Sequence, residues 1–89
     1  MKICEVVGHV WATKKEEALS GLKLMLVKEI DVCSDWESVP FVAADKVGAG
    51  IGERVLVVEG STARYALSRE NQPVDSAIVG IIDSLDVRK

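Results

Sequence analysis

Apolar residues gather into five short blocks separated by polar or glycine-rich connections. The first, "ICEVVGHVWAT" (residues 3–13), is rich in valine and carries Gly8 at its centre. Valine fits a pleated surface and a mid-strand glycine marks a bulge or bend, so this block predicts a bent strand. The polar "KKEEALSG" leads to "LKLMLVKEID" (residues 22–31). Leu, Lys, Met and Glu favour helix, and the stretch from Glu16 onward can be drawn as an amphipathic one. Gly21 would sit inside that helix, however, and Leu22, Leu24 and Leu26 repeat with a period of two, which favours a strand. On the residues alone both readings stay open. "FVAAD" (41–45) is a short strand, and "VCSDWESVP" before it is a loop. "ERVLVVEG" (53–60) has a β-branched centre and reads as a strand. "STARYALSR" (61–69) reads as a short helix. Ser61 or Thr62 serves as its N-cap, and Ala63, Ala66 and Leu67 form its apolar face. After a turn at Pro73, "AIVGIIDSLDV" (77–87) is a last strand, again with a central glycine, Gly80.

Five short strands with one helix after the fourth, and glycines inside the first and last, predict a mainly β fold closed into a small curved barrel. At 89 residues the chain makes one domain, residues 1–89, with little interior. Its hydrophobic content of 48% exceeds what so small an interior needs, which points toward association with other chains.

Charge and composition narrow the function. The net charge of −3 disfavours a nucleic-acid partner, which calls for a concentrated basic surface. Trp11 and Trp36 are too few and too separated for a base-stacking platform. The apolar start "MKICEVVGHVWA" is broken by Glu5, Gly8 and His9, so neither a signal peptide nor a membrane span is expected, and a cytoplasmic location is. Cys4 and Cys33 lie far apart and His9 is the only histidine, so a zinc site has no recognisable ligand set. Two buried thiols are the simplest expectation for the cysteines. His9 lies in a strand pattern with no oriented nucleophile beside it, and no catalytic constellation can be assembled. The carboxylates Asp45, Glu53, Glu59 and Asp83 fall at strand ends, where such groups are mostly solvated or form turns. No cofactor is expected.

The segment "VGAGIGERVLVVEGSTAR" holds the most suggestive chemistry. Val47, Gly48, Ala49, Gly50, Ile51 and Gly52 look at first like a phosphate loop. A dinucleotide loop has G-x-G-x-x-G between a strand and a helix. Here Glu53 occupies the third glycine position with a charge that repels phosphate, and a strand follows instead of a helix. A P-loop fails too, because no Lys-Ser or Lys-Thr pair occurs in the chain. In "GSTAR", Gly60, Ser61 and Thr62 lead into a helix start with Arg64 nearby, an arrangement that can hold an anion or a neighbour's carboxylate. Ordinary capping is the competing explanation.

These residues carry a family resemblance. "DKVGAGIGERVLVVEGSTAR", with "VGHVWATKKEEALSGLKLMLV" before it and "PVDSAIVGIIDSL" after it, resembles the vertex proteins of bacterial microcompartment shells over nearly the whole chain. The resemblance implies a five-stranded OB-like β-barrel, with residues 22–31 a strand. It also implies a homopentamer that caps five-fold corners of a polyhedral shell, beside hexameric shell proteins and without catalysis. Its subunit contacts would be heterologous and close into a ring. Small residues suit crowding between chains, so Val47, Gly48, Ala49, Gly50, Ile51 and Gly52 are expected at the axial pore or a subunit interface. Ser61, Thr62 and Arg64 are expected at an interface too, with Arg64 paired to Asp45 or Glu53 of a neighbour. Trp36 and its surroundings depart from the family pattern. The competing function is an OB-fold module that binds a small ligand or nucleic acid.

Overall fold

The computed structural model describes residues 1–11, 21–30, 33, 38–67 and 74–85, with Arg64 and Tyr65 described in their backbone alone. Five strands appear in chain order: β1 (Lys2–Val10), β2 (Lys23–Glu29), β3 (Phe41–Asp45), β4 (Arg54–Glu59) and β5 (Ser76–Ile81). One helix, α1 (Ser61–Ala66), lies between β4 and β5. The strands close into a barrel in the order β1-β2-β3-β5-β4. All neighbours are antiparallel except β3 and β5, which run parallel.

The ambiguous second block is therefore a strand. Its period of two is the signature of a half-buried wall: Met25 and Val27 are fully buried, while Leu24 and Leu26 turn to the outer face. Helix propensity loses because tertiary pairing with β1 and β3 supplies the backbone hydrogen bonds along the whole length of β2.

The expected bulge at Gly8 is present. Val6 pairs with Val27 and Gly8 with Leu26, which leaves Val7 as the extra residue. Around Gly80 the same device recurs: Leu56 pairs with Gly80 and Val57 with Ile78, leaving Val79 extra. "VVG" and "IVG" thus mark two matching corners, and each lets a leucine of the adjoining strand, Leu26 or Leu56, lie over the glycine.

The wall has two cores. Inside the barrel, Cys4, Val6, Met25, Val27, Ala43, Ala49, Val55, Val57 and Ile78 form one cluster, with Phe41 packed against it. Outside, Ala63 and Leu67 pack α1 against Ala44, Val58 and Ala77, so the apolar helix face expected from the sequence is the one buried. Ala44 and Ala77 leave room for the helix to approach the sheet.

Several boundaries differ from expectation. The last strand ends at Ile81, and residues 82–85 continue without strand structure; its expected end at 87 lies outside the described residues. The first ends at Val10, and Thr13 lies outside the described residues, as do Trp36 and positions 68–69 of the expected helix. Cys4 is a core thiol, but Cys33 is exposed, against the expectation that both are buried.

Candidate functional site

The strand residues that point inward end in polar groups at both mouths of the barrel. Glu29 closes β2 at one mouth, where Lys2 Nζ lies 3.6 Å from Glu29 and 3.2 Å from Glu59 and sits 5.4 Å from the Phe41 ring centre. Lys23 opens β2 at the other mouth, about 20 Å away for a seven-residue strand. There it meets Asp45, the last residue of β3 and its register partner, at 3.4 Å.

Asp45 organises the glycine loop that follows it. Its carboxylate is fully buried. Oδ1 accepts hydrogen bonds from the backbone N–H of Val47 (2.9 Å) and Gly48 (3.1 Å), and Oδ2 accepts from Ala49 N–H (2.8 Å). One carboxylate thus satisfies three successive amides, a tight turn of the Asx kind extended by one residue. Lys23 Nζ adds a second tie by donating to the Ala49 carbonyl at 3.2 Å. The turn demands a left-handed residue, and Gly48 supplies it at φ +80°.

The chain then reverses again. Glu53 N–H donates to the Gly50 carbonyl at 3.2 Å, while Glu53 Oε1 accepts from Gly50 N–H at 2.6 Å. Gly52, the third residue of this β-turn, has φ +90°, the conformation that a type II turn requires there. Beyond it the loop joins the wall: Gly52 N–H donates to the Val6 carbonyl at 2.8 Å and Val6 N–H to the Glu53 carbonyl at 3.0 Å. These two bonds prolong the β1–β4 ladder past its last register pair, Glu5 with Arg54. A further tie comes from Lys46, whose Nζ donates to the Ala66 carbonyl at the end of α1 (2.5 Å). A cation at a helix C-terminus is well placed to satisfy an orphan carbonyl.

The residues expected to form one site therefore play distinct parts. Ala49 faces inward: it is fully buried in the barrel core, and its side chain plugs its own barrel. Gly48 and Gly52 owe their identity to backbone conformation, since a Cβ at either would meet nothing within 4 Å. Gly50 is different, because a Cβ there would stand 3.2 Å from Glu53 Oε1. Val47 (40%) and Ile51 (59%) are the exposed apolar residues of the loop. Asp45 forms a turn, as strand-end carboxylates often do, but its side chain is not solvated. Glu53 remains exposed.

Ser61 and Thr62 are exposed at the start of α1. The helix begins at Ser61, so Gly60 at φ +68° holds the cap position, and its carbonyl accepts from Ala63 N–H at 3.1 Å. With six residues α1 has fewer than two turns, which gives its peptide dipoles little length over which to add toward an anion. The sequence reading missed Lys23 and Lys46. Lys23 is invisible because it is 22 positions before Asp45 and only the register of β2 on β3 brings them together. Sequence left Asp45 between a solvated and a turn-forming role; an aspartate just before small residues is the signal that favours the turn. His9 is exposed on β1 and its ring stacks on Trp11, 5.5 Å between centres. Among the described residues no group of three or more His, Cys, Asp or Glu side chains could hold a metal ion.

The arrangement is a surface loop fastened to its barrel by hydrogen bonds of its own chain. Proteins of similar sequence share this barrel. A family described as ethanolamine utilisation protein EutN/carboxysome matches residues 1–83. The microcompartment shell vertex protein PduN of Salmonella typhimurium is 42% identical over 96% of this chain and 98% of its own. The carboxysome shell vertex protein CcmL of Synechococcus elongatus is 41% identical over 98% of this chain and 88% of its own. Among solved structures, the pentameric microcompartment shell protein GrpN from Rhodospirillum rubrum aligns with a TM-score of 0.85 at 37% identity, covering all of both chains. The pentameric shell protein of the RMM microcompartment aligns at 0.83 and 30% identity, covering 100% of this chain and 99% of its own. With this sequence match running nearly end to end on the same closed barrel, the chain belongs to the EutN/CcmL/PduN family of non-catalytic bacterial microcompartment shell vertex proteins.

Proposed function

We propose that this chain assembles into a homopentamer that occupies the five-fold corners of a microcompartment shell in the cytoplasm, next to flat hexameric shell proteins. A closed shell built from flat hexagonal tiles needs five-fold positions to curve, and a pentamer fills them. The observation that carries this reading is the end-to-end likeness to GrpN, a pentameric shell protein, with no segment of either chain left over. The exposed apolar residues Val42, Val47 and Ile51 are consistent with surfaces meant to meet other chains.

In this assembly the loop of residues 47–52 lies at a subunit contact or near the five-fold axis, presenting Val47 and Ile51. Ser61, Thr62 and Arg64 lie at a contact as well. With Asp45 buried in its own loop, the neighbour's Glu53 is the exposed acceptor for Arg64. A carboxylate already bonded to Gly50 N–H retains sites for a second donor. Native mass spectrometry tests the assembly: a species of five chains is expected, and a chain that stays monomeric at high concentration, or forms hexamers alone, overturns it. Arg64→Ala should shift the pentamer toward smaller species on dilution; an unchanged distribution removes Arg64 from the interface.

A further inference from the structure

We infer that Asp45 is a positioning residue for subunit assembly: it fixes the shape of the loop of residues 47–53 inside the single protomer, so that the loop docks as a finished element. This rests on the pentamer reading above. Ties made within one chain hold the loop, besides its own Gly50–Glu53 turn. Asp45 takes the amides of Val47, Gly48 and Ala49. Lys23 bridges the Asp45 carboxylate and the Ala49 carbonyl. Lys46 fastens the loop's start to the end of α1. Gly52 and Glu53 pair with Val6.

The apolar side chains left outward by these ties are Val47 and Ile51, 40% and 59% exposed, while Ala49 between them is drawn into the barrel. The two apolar side chains thus stand on either side of an anchored point. A free loop rich in glycine would lose much backbone entropy on being ordered between two chains. Ordering it in advance removes that loss from the association step, and in a ring every interface gains the benefit. Asp45 is the centre of the device because it alone binds three of the loop's amides. An asparagine in its place has one acceptor oxygen and presents an N–H₂ group to at least one of those amides.

The test uses the full chain. Amide hydrogen exchange is read in the monomer fraction of a dilution series followed by native mass spectrometry. In the unsubstituted protein the amides of Val47, Gly48 and Ala49 are expected to be protected before assembly. In Asp45→Asn they should exchange about tenfold faster or more, the effect of losing one hydrogen bond to a charged acceptor. Val55 and Val57 in β4 should keep their protection, which separates a loosened loop from a failing barrel. The concentration at which the pentamer half-dissociates should rise by a similar factor. If Asp45→Asn does not fold, Lys23→Met loosens the same turn from its half-exposed side, with a smaller effect in the same direction, and Lys23→Arg should restore both readouts. The inference is overturned if the loop amides of the unsubstituted monomer exchange as freely as those of an unstructured peptide. It is overturned equally if either variant frees the loop while the pentamer dissociates unchanged. An unsubstituted chain that never forms a pentamer defeats the assembly reading instead, and leaves loop protection measurable.

Discussion

The two mouths of the barrel are both closed by a lysine facing carboxylates, yet they are physically unlike. At one, Lys2, Glu29 and Glu59 each keep a third or more of their side chains in water. Their attraction is screened, and each can be removed without stranding a partner. At the other, the Asp45 side chain has no exposure at all and its oxygens are shared among three amides and Lys23. Charge is incidental at the first mouth. At the second it is structural, because a buried carboxylate with satisfied hydrogen bonds dictates the path of the chain around it. The lesson is that an ion pair's importance follows from what else its members hold.

Removing Asp45 is the strongest way to test that contrast. Asp45→Ala leaves three amides without their acceptor and Lys23 with the Ala49 carbonyl alone. At about 1.5 kcal/mol net for each of three amide bonds to a charged acceptor, this should cost about 4–5 kcal/mol of unfolding free energy. Urea unfolding of the whole assembly and of the dilute chain would measure it. A loss under about 1 kcal/mol would mean that water replaces the carboxylate freely and that the two mouths are alike after all.

A smaller effect separates glycines at the Asp45 mouth from those in the wall. Gly48→Ala and Gly52→Ala each force a side chain into the left-handed region, at about 1–2 kcal/mol apiece. Gly8→Ala and Gly80→Ala place a Cβ at ordinary contact, 3.7 Å from Leu26 Cβ and 3.5 Å from Leu56 Cδ1, and should change stability by less than about 1 kcal/mol. Thermal melting of the four variants gives the order directly. If the wall glycines prove as costly as the loop glycines, the positive φ is not what selects glycine in the loop.

The same division governs what could be read from sequence. Most of the wall was legible because its signals are local: β-branched runs for β1 and β4 and a mid-strand glycine at each bulge. The period of two in β2 left helix and strand both open until the family resemblance implied a strand. The failure of "VGAGIGE" as a phosphate loop was legible too, since Glu53 and the following strand are both in view. What stayed hidden depends on closure. Ala49 looks like one more small loop residue until the loop folds back over the mouth and turns it into the barrel, among Met25, Val27 and Val55. Asp45 likewise looks like a strand-end charge open to another chain. Its burial follows only when β2 brings Lys23 alongside and the loop covers the carboxylate. Crowding between chains was inferred for the glycines, whereas their φ angles already require glycine at 48 and 52 within one chain.

The Lys2 mouth yields the smallest effect, and it is seen in alkali. Lys2 has its pKa raised from 10.5, chiefly by its hydrogen bond with Glu59, supported by the charges of Glu59 and Glu29 and opposed by desolvation. Just inside this mouth, burial pushes the Cys4 thiol from 9.0 up to about 11, with the Glu29 charge adding to the shift. Both groups hold their protons more tightly folded than unfolded, so both contributions are complete below the unfolded pKa and fade as pH rises through the folded one. Stability should therefore decline from about pH 9 upward, first through Cys4, with Lys2 contributing above 10.5. Cys4→Ala should flatten the decline between pH 9 and 11 while lowering stability at neutral pH, because it leaves a small gap in the core. Lys2→Met should remove only the upper part of the decline, and at neutral pH its effect should shrink further as salt is added. Unfolding measured from pH 7 to 11 at two salt concentrations tests both. A neutral-pH loss for Lys2→Met as large as that for Asp45→Ala would show that exposure does not distinguish the two mouths, and the contrast between them would fall.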